Sequence, residues 1–428
     1  MQSVGVFTFT KSLIAYMDYL CGDTATGFTC ANFHKWAHGF LEERGELPGG
    51  GAIQEWEQKR LIKEAQIEWR KQAGSKAGTQ KIFEKTPAFF LEEFSWIKGK
   101  AIRDFQEYES AQRIGRGVSD RVTTKDREAI WALFVRYNEE LQRLAKYDFD
   151  DLALLMLDSI SADPHFDPPF YHVVVDEAQD LSKAILLVLT KLVSPDTKSI
   201  TIIADAAQQI YKSGFSWKEV GLNVLGGRSV EMRQNYRNTK QIYWLAQSLL
   251  DHESDKSDFT EALEPRRTGD IATLACFANE QEEFESVVAK VKNFLKARPG
   301  SSVCILHRTR YKTKKIADLL DEQNISFASI SGKRKLAFDS TAVFLSTMSS
   351  VKGLEFDSVF ITGVSDDVIP RRFSEEEGDE QAHISAERRL LYTAMTRARE
   401  KLSISYSGGP SMFVEELNGT LIKSDGGL

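Results

Sequence analysis

The sequence predicts an α/β protein of two parallel-sheet domains, the first carrying a helical insertion. Three observations lead there. Short apolar, β-branched runs such as Val173-Val174-Val175, Ile200-Thr201-Ile202-Ile203 and Val303-Cys304-Ile305-Leu306 read as strands buried on both faces. Helical patterns alternate with them: Phe284, Val287, Val288, Val291, Phe294 and Leu295 mark one apolar helix face. Between Ile53 and Leu144 the strand signal gives way to charged helical sequence with aromatics at intervals. With 428 residues, 42% of them hydrophobic, the chain can fill two or three ordinary cores.

Taken in order, Val4 to Lys11 reads as a strand running into a turn, followed by a helix through Leu13, Ile14, Tyr16 and Met17. Cys30, His34 and His38 recur every four residues, a spacing that on one helix would stack three metal ligands. No fourth ligand lies nearby in sequence, which weakens that reading. Gly45 to Gly51 is a loop, and the helical stretch that follows is interrupted at Gly115-Arg116-Gly117. Tyr147-Asp148-Phe149-Asp150-Asp151-Leu152 returns the chain to the sheet.

The stretch that organises the rest is Val173 to Asp180. Asp176 and Glu177 follow directly on a buried strand, at the carboxyl end where open α/β sheets bind ligands. There the first acid could hold Mg²⁺ and the second could polarise an attacking water, whereas the plainer reading is a solvated acidic turn. The next strand ends in Asp205 and Gln208, and the Phe215/Trp217 pair beyond it could stack on bases or fill core. Further strands are expected at 343–346 and 359–361, an acidic loop at 374–380 and a frayed end at 425–428.

Composition narrows the function. Against 55 Lys and Arg stand 62 Asp and Glu, a net charge of −7, which excludes a protein that coats nucleic acid by bulk charge but leaves room for a local basic track. The four cysteines show no paired spacing, so neither a disulfide framework nor an iron–sulfur clasp is expected. No apolar run approaches the roughly 18 residues of a membrane span, and no charged-then-apolar leader opens the sequence. The expectation is a soluble cytoplasmic protein with no membrane partner.

Five blocks in order resemble the motifs of UvrD/Rep-like superfamily-one DNA helicases. Asp176-Glu177-Ala178-Gln179-Asp180 resembles motif II (Walker B), and Ala204 to Tyr211 resembles motif III. Gln234 to Asn238 is similar to motif IV, Lys352 to Phe356 to motif V, and Leu391 to Arg399 to motif VI. Thr8-Phe9 and Asn32 to Trp36 resemble the strand-contacting motifs Ia and Ib. The resemblance covers most of the chain. It implies two RecA-like domains: a first one (1A) over 1–40 and 145–228, a helical 1B-like insertion over 41–144, and a second (2A) over 229–428. The 2B domain of larger relatives is expected to be absent or vestigial.

The resemblance also implies roles. Asp176 would bind Mg²⁺, Glu177 would activate water, and Gln208 would sense the γ-phosphate of ATP. Arg237 and Arg397 would be arginine fingers, whose fixed charged forks suit phosphate. Tyr236 would stack on the base, Gly353 allow phosphate approach and Glu355 hold the ribose. Thr8, Phe9, Phe33 and His34, at the matching positions, would contact single-stranded DNA or DNA with a 3′ tail, and the Phe215/Trp217 pair, read from its residue types alone, would join them. The implied activity is 3′–5′ translocation driven by ATP, in a setting such as DNA repair.

The sequence departs from the pattern in three places. The phosphate cradle G-x-x-x-x-G-K-[ST] occurs nowhere: Gly99-Lys100 and Gly332-Lys333 lack both the preceding Gly and the following Ser or Thr. In the family it lies before motif Ia, at which these 428 residues open. Three accounts stay open: the loop belongs to a preceding segment, it comes from a partner protein, or hydrolysis has been lost and the chain is a nucleic-acid-binding or regulatory partner. Ala204 stands for the usual Gly of motif III, and Ser349 for the usual His of motif V.

Overall fold

The computed structural model describes residues 2–8, 11–21, 27–73, 81–112, 122–204, 217–222, 227–253, 263–330, 342–373 and 380–425. Two compact units divide the chain: Met1–Phe9 with Thr26–Glu231 and Ser374–Asp379, and Thr10–Ala25 with Met232–Phe373 and Glu380–Leu428. Among the described residues no helix is long and apolar enough to cross a membrane.

The first unit is built on a parallel sheet of order β2-β1-β5-β6, with β1 at Gln2–Thr8, β2 at Phe28–Asn32, β5 at Phe170–Val175 and β6 at Ser199–Ile202. Val173 and Val175 are wholly buried on one face of β5, whereas Val174 between them is half-buried. Strand β6 is half-buried to exposed, so the burial on both faces expected for these two strands is found on one face only. Helices α2 (Phe33–Glu43), α7 (Asp151–Ala162) and α8 (Lys183–Lys191) supply the remaining core. Asn32 starts α2 by accepting from the amides of His34 (3.0 Å) and Lys35 (3.3 Å).

The helical insertion leaves this sheet at a two-stranded root, β3 (Gly51–Ala52) beside β4 (Lys146–Tyr147). At the root, a Cβ on Gly50 would lie 2.5 Å from the Leu144 carbonyl, so only glycine fits. Among the described residues four α-helices follow: α3 (Glu55–Ala73), α4 (Pro87–Gly99), α5 (Phe105–Ser110) and α6 (Thr124–Arg143). Pro87 in the first turn behind the Thr86 cap starts α4, and a Thr123/Asp126 capping box starts α6. Their facing aromatics, Phe90, Phe94, Tyr108 and Tyr137 among them, make a core separate from the sheet's.

The second unit carries a seven-stranded parallel sheet of order β13-β7-β12-β11-β8-β10-β9. Its strands are β7 (Ala272–Phe277), β8 (Val303–His307), β9 (Phe327–Ser329), β10 (Val343–Thr347), β11 (Phe356–Thr362), β12 (Ala398–Ser407) and β13 (Ile422–Ser424). Alternate residues feed opposite layers. Cys304, Leu306, Val359 and Ile361 join α9 (Lys240–Leu250) and α12 (Glu380–Met395). Val303, Ile305, Val343 and Phe360 join α10 (Glu280–Ala297) and α11 (Arg310–Glu322). Between 239 and 351 the described residues all belong to this sheet, its flanking helices or their connections.

Helix α1 (Lys11–Cys21) falls with the second unit, where Ala15 and Tyr16 pack on the α9/α12 layer. The sequence alone places all of 1–40 with the first sheet. The apolar face of α1 finds its partners elsewhere, and Leu13 sits against Gly353.

Candidate nucleotide and nucleic-acid sites

In the first unit the acidic pair sits where the buried valines end. The Asp176 amide donates to the Phe7 carbonyl (2.9 Å), and the Ile203 amide to Val175 (2.8 Å), so the ladder holds Asp176 between β1 and β6. Glu177 then adopts a left-handed conformation at φ 52°, unusual for a residue with a side chain, and a short turn over Ala178–Asp180 leads to α8. Both carboxylates are half-buried. One strand across, Thr8 is 2% exposed and its hydroxyl lacks a hydrogen-bond partner. Two hard carboxylate oxygen donors beside an unsatisfied hydroxyl fit a Mg²⁺ that keeps its waters and shares substrate phosphates. Among the described residues no three His, Cys, Asp or Glu side chains cluster to hold a metal by themselves.

The second unit gathers the other nucleotide candidates. Asn235 Oδ1 accepts from the amides of Arg237 (3.0 Å) and Asn238 (3.1 Å), which bends the loop so that Tyr236 is 75% exposed. Buried Asn238 then donates to the carbonyls of Thr396 (3.0 Å) and Ala398 (2.6 Å). The Phe356 amide donates to the Arg397 carbonyl (3.0 Å). Three sequence-distant segments are thereby stitched together. Arg237 Nε lies 2.8 Å from Glu355 Oε2, and Arg397 Nε donates to Thr393 O (3.0 Å). Gly353 has φ +83° in the connecting turn, a conformation that favours glycine, and a Cβ there would press on Leu13 at 3.3 Å.

The nucleic-acid candidates divide. Phe33 is 2% exposed: it heads the buried stripe Phe33, Ala37, Leu41 of α2, so the expected base contact is corrected to a core role. Burial likewise argues against a direct side-chain contact from Thr8. Trp217 is half-buried against the first sheet's core. His34 is half-buried, and that burial holds its imidazole below the usual value, which favours the neutral ring and suits stacking better than pairing with phosphate. Phe9, Gln208, Phe215 and Asp205 lie outside the described residues. The metal alternative fails on topology: Cys30 is on β2 while His34 and His38 are on α2, and His38 faces Glu42 at 3.7 Å.

Two features escaped the sequence reading. Phe149 is 58% exposed and meets His34 edge-on at 6.0 Å between ring centroids. The signal was an aromatic flanked by carboxylates on both sides, which has no reason to be core. In the insertion, Trp56, Lys59, Arg60, Lys63, Arg70 and Lys85 help line a cleft of about 460 Å³, distant in sequence from the carboxylates.

One parallel-sheet unit carries an Asp-Glu pair at a strand end, and the other carries Arg237, Arg397, an exposed Tyr236 and the Gly353 turn, each on an α/β fold of the RecA-like class. The UvrD/REP helicase N-terminal domain description matches residues 2–217, and the UvrD-like helicase C-terminal domain matches residues 230–338 and 329–409. The chain belongs to the UvrD/Rep helicase family. It is 24% identical over 299 residues to the ATP-dependent DNA helicase PcrA of Leuconostoc citreum, covering 65% of this chain and 36% of that one. To PcrA of Staphylococcus epidermidis RP62A it is 24% identical over 348 residues, covering 76% and 44%. The chain thus spans about two fifths of the length of these relatives. Among solved structures, the C-terminal domain of a possible DNA helicase from Lactobacillus plantarum WCFS1 matches 45% of this chain and 99% of its own, with 21% identity and a TM-score of 0.35.

Proposed function

We propose that the chain is the motor core of an ATP-dependent, 3′–5′ DNA helicase or single-stranded-DNA translocase of the UvrD/Rep type, acting in the cytoplasm with ATP and Mg²⁺. The observation that carries this is the stitching of Tyr236, Arg237, Glu355 and Arg397 from three separate segments onto one framework. Tyr236 offers a ring for the base, Glu355 a carboxylate for the ribose and Gly353 a close approach for phosphate. Arg237 and Arg397 neutralise charge on the transferred phosphoryl group. Asp176 would hold Mg²⁺, which when bound supplies charge neutralisation at the phosphates. Glu177 takes the proton of the attacking water, with Gln208 aiming that water.

A second reading rests on one sequence observation, the lack of a G-x-x-x-x-G-K-[ST] cradle among these 428 residues. In it the chain is a hydrolysis-deficient nucleic-acid-binding or regulatory partner, or takes its phosphate loop from a preceding segment or another protein. Unwinding of substrates with 3′ and 5′ tails, with ATP present, separates the readings. Activity on 3′ tails alone supports the first; tight DNA binding with no ATP turnover supports the second.

For DNA we assign His34, Phe149 and Trp217 to a short track that reads unpaired bases. Changing Phe149 to Ala is expected to weaken single-strand binding roughly 5- to 150-fold, the range for one lost base stack. The salt dependence stays unchanged because no phosphate contact is lost. Titration of labelled single and double strands at several salt concentrations checks this. Equal affinity of the folded mutant, or tighter binding to blunt duplex, would put the DNA on another surface.

A further inference from the structure

The loop that presents Phe149 is held by an unusual buried cluster. Its neighbours clamp each other: the Asp148 amide donates to Asp151 Oδ2 (2.9 Å), and the Asp151 amide to Asp148 Oδ1 (3.1 Å). Lys98, on α4 of the helical insertion, places Nζ 2.7 Å from both Asp148 Oδ2 and Asp151 Oδ1, and its side chain is 1% exposed. Tyr137 on α6 donates to Asp148 Oδ2 (3.0 Å) while accepting from Gln58 Nε2 of α3 (3.0 Å). Two insertion helices, α4 and α6, thus reach the two aspartates that flank Phe149 and Asp150, and α3 braces Tyr137 from behind.

The electrostatics fit a locked state. Burial alone would lower the Lys98 pKa, but the charges and hydrogen bonds of Asp148 and Asp151 raise it above its ordinary value, so the ammonium persists. Burial, with the charge of Asp148 adding to it, pushes Asp150 up to about 6 despite its bond to Ser95. A core of apolar residues would hold the insertion at least as well, since buried ion pairs rarely gain net stability. What the cluster offers instead is direction: Lys98, Tyr137 and the loop's own Asp148 and Asp151 amides all donate to the two carboxylates and hold the loop between them.

We propose that Lys98 is a positioning residue for nucleic-acid binding, fixing the Asp148–Asp151 clamp so that Phe149 stands beside His34 to receive an unpaired base. The inference rests on the reading of Phe149 as a base contact. It makes the helical insertion a support for the strand-binding face and not only an appendage.

A double-mutant cycle tests it, using fluorescein-labelled oligo-dT at fixed salt and near-ultraviolet circular dichroism to check the fold. Lys98→Met is expected to weaken binding by about the same factor as Phe149→Ala, roughly 5- to 150-fold. The double mutant should be no weaker than Phe149→Ala alone, and Lys98→Arg, whose fork can serve two carboxylates, should recover most of the affinity. Should Lys98→Met not fold, Tyr137→Phe removes one clamp bond without stranding a charge. It then gives a smaller loss that also vanishes in the Phe149→Ala background. Losses that multiply, or a folded Lys98→Met with wild-type affinity, overturn the positioning role alone. A neutral Phe149→Ala overturns the base-contact reading and this inference with it.

Discussion

Replacing Glu177 by Gln is expected to lower ATP turnover about 10²- to 10⁴-fold, the range for removing a general base, with nucleotide and DNA affinity nearly intact. The reason is local. Glu177 sits at the carboxyl end of β5 in a left-handed backbone conformation, and the neighbouring ladder bonds of Asp176, Ala178 and Ile203 do not depend on its side chain. Gln keeps the size and the hydrogen-bonding reach while losing the basic oxygen. Single-turnover hydrolysis, measured on the chain in a form that turns over ATP, isolates this step from product release. A loss confined to KM would show that Glu177 binds and does not activate water.

The larger effect is expected at Arg397. An arginine finger is worth about 10³–10⁵ in turnover, so Arg397→Ala should be close to inactive with single-strand binding unchanged. Arg397→Lys should fall between, because the charge remains and the fork is lost. Arg397 is the cleaner probe of the two arginines. Arg237 is ion-paired with Glu355 at 2.8 Å, so Arg237→Ala also releases the carboxylate assigned to the ribose. Arg397 donates to the Thr393 carbonyl and the Thr396 hydroxyl, which lose little when it goes. If stability and turnover fell together in thermal melts and rate assays, the arginine would be a structural tie of α12.

Much of this was legible in sequence because periodicity and burial agree. Val173 to Val175 reads as a strand and forms one, though only Val173 and Val175 are fully buried, and the carboxylates after it followed from chain direction. The facing pattern of α10 was equally plain. Residues Ala398–Ser407 were harder: Ala398-Arg399-Glu400-Lys401-Leu402 reads as a charged helix end, yet β12 pairs with β11 and β7 along it. Arg399 and Glu400 there face solvent-side partners, Asp357, Arg267 and Arg298, which local propensity does not reveal.

The site was legible in its residue types and not in its depth. Motif resemblance placed Thr8 and Phe33 on DNA, but a side chain's side of its own helix or strand decides exposure. Phe33 shares its stripe with Ala37 and Leu41, while His34, one residue on, lies off that stripe, half-buried against Phe149. Phe149 lay in plain view between aspartates, and only the fold brought it to His34. The Lys98 cluster joins residues up to 79 positions apart in a single hydrogen bond, beyond any periodic signal.

The central claim, that this chain couples ATP hydrolysis to single-stranded DNA, is tested most directly by ATP turnover with and without oligo-dT. The account predicts turnover that rises with single strands, rises less with blunt duplex, and is abolished by both Glu177→Gln and Arg397→Ala. Saturable single-strand binding with no ATP turnover above that of the two variants would contradict it and leave the hydrolysis-deficient partner as the function.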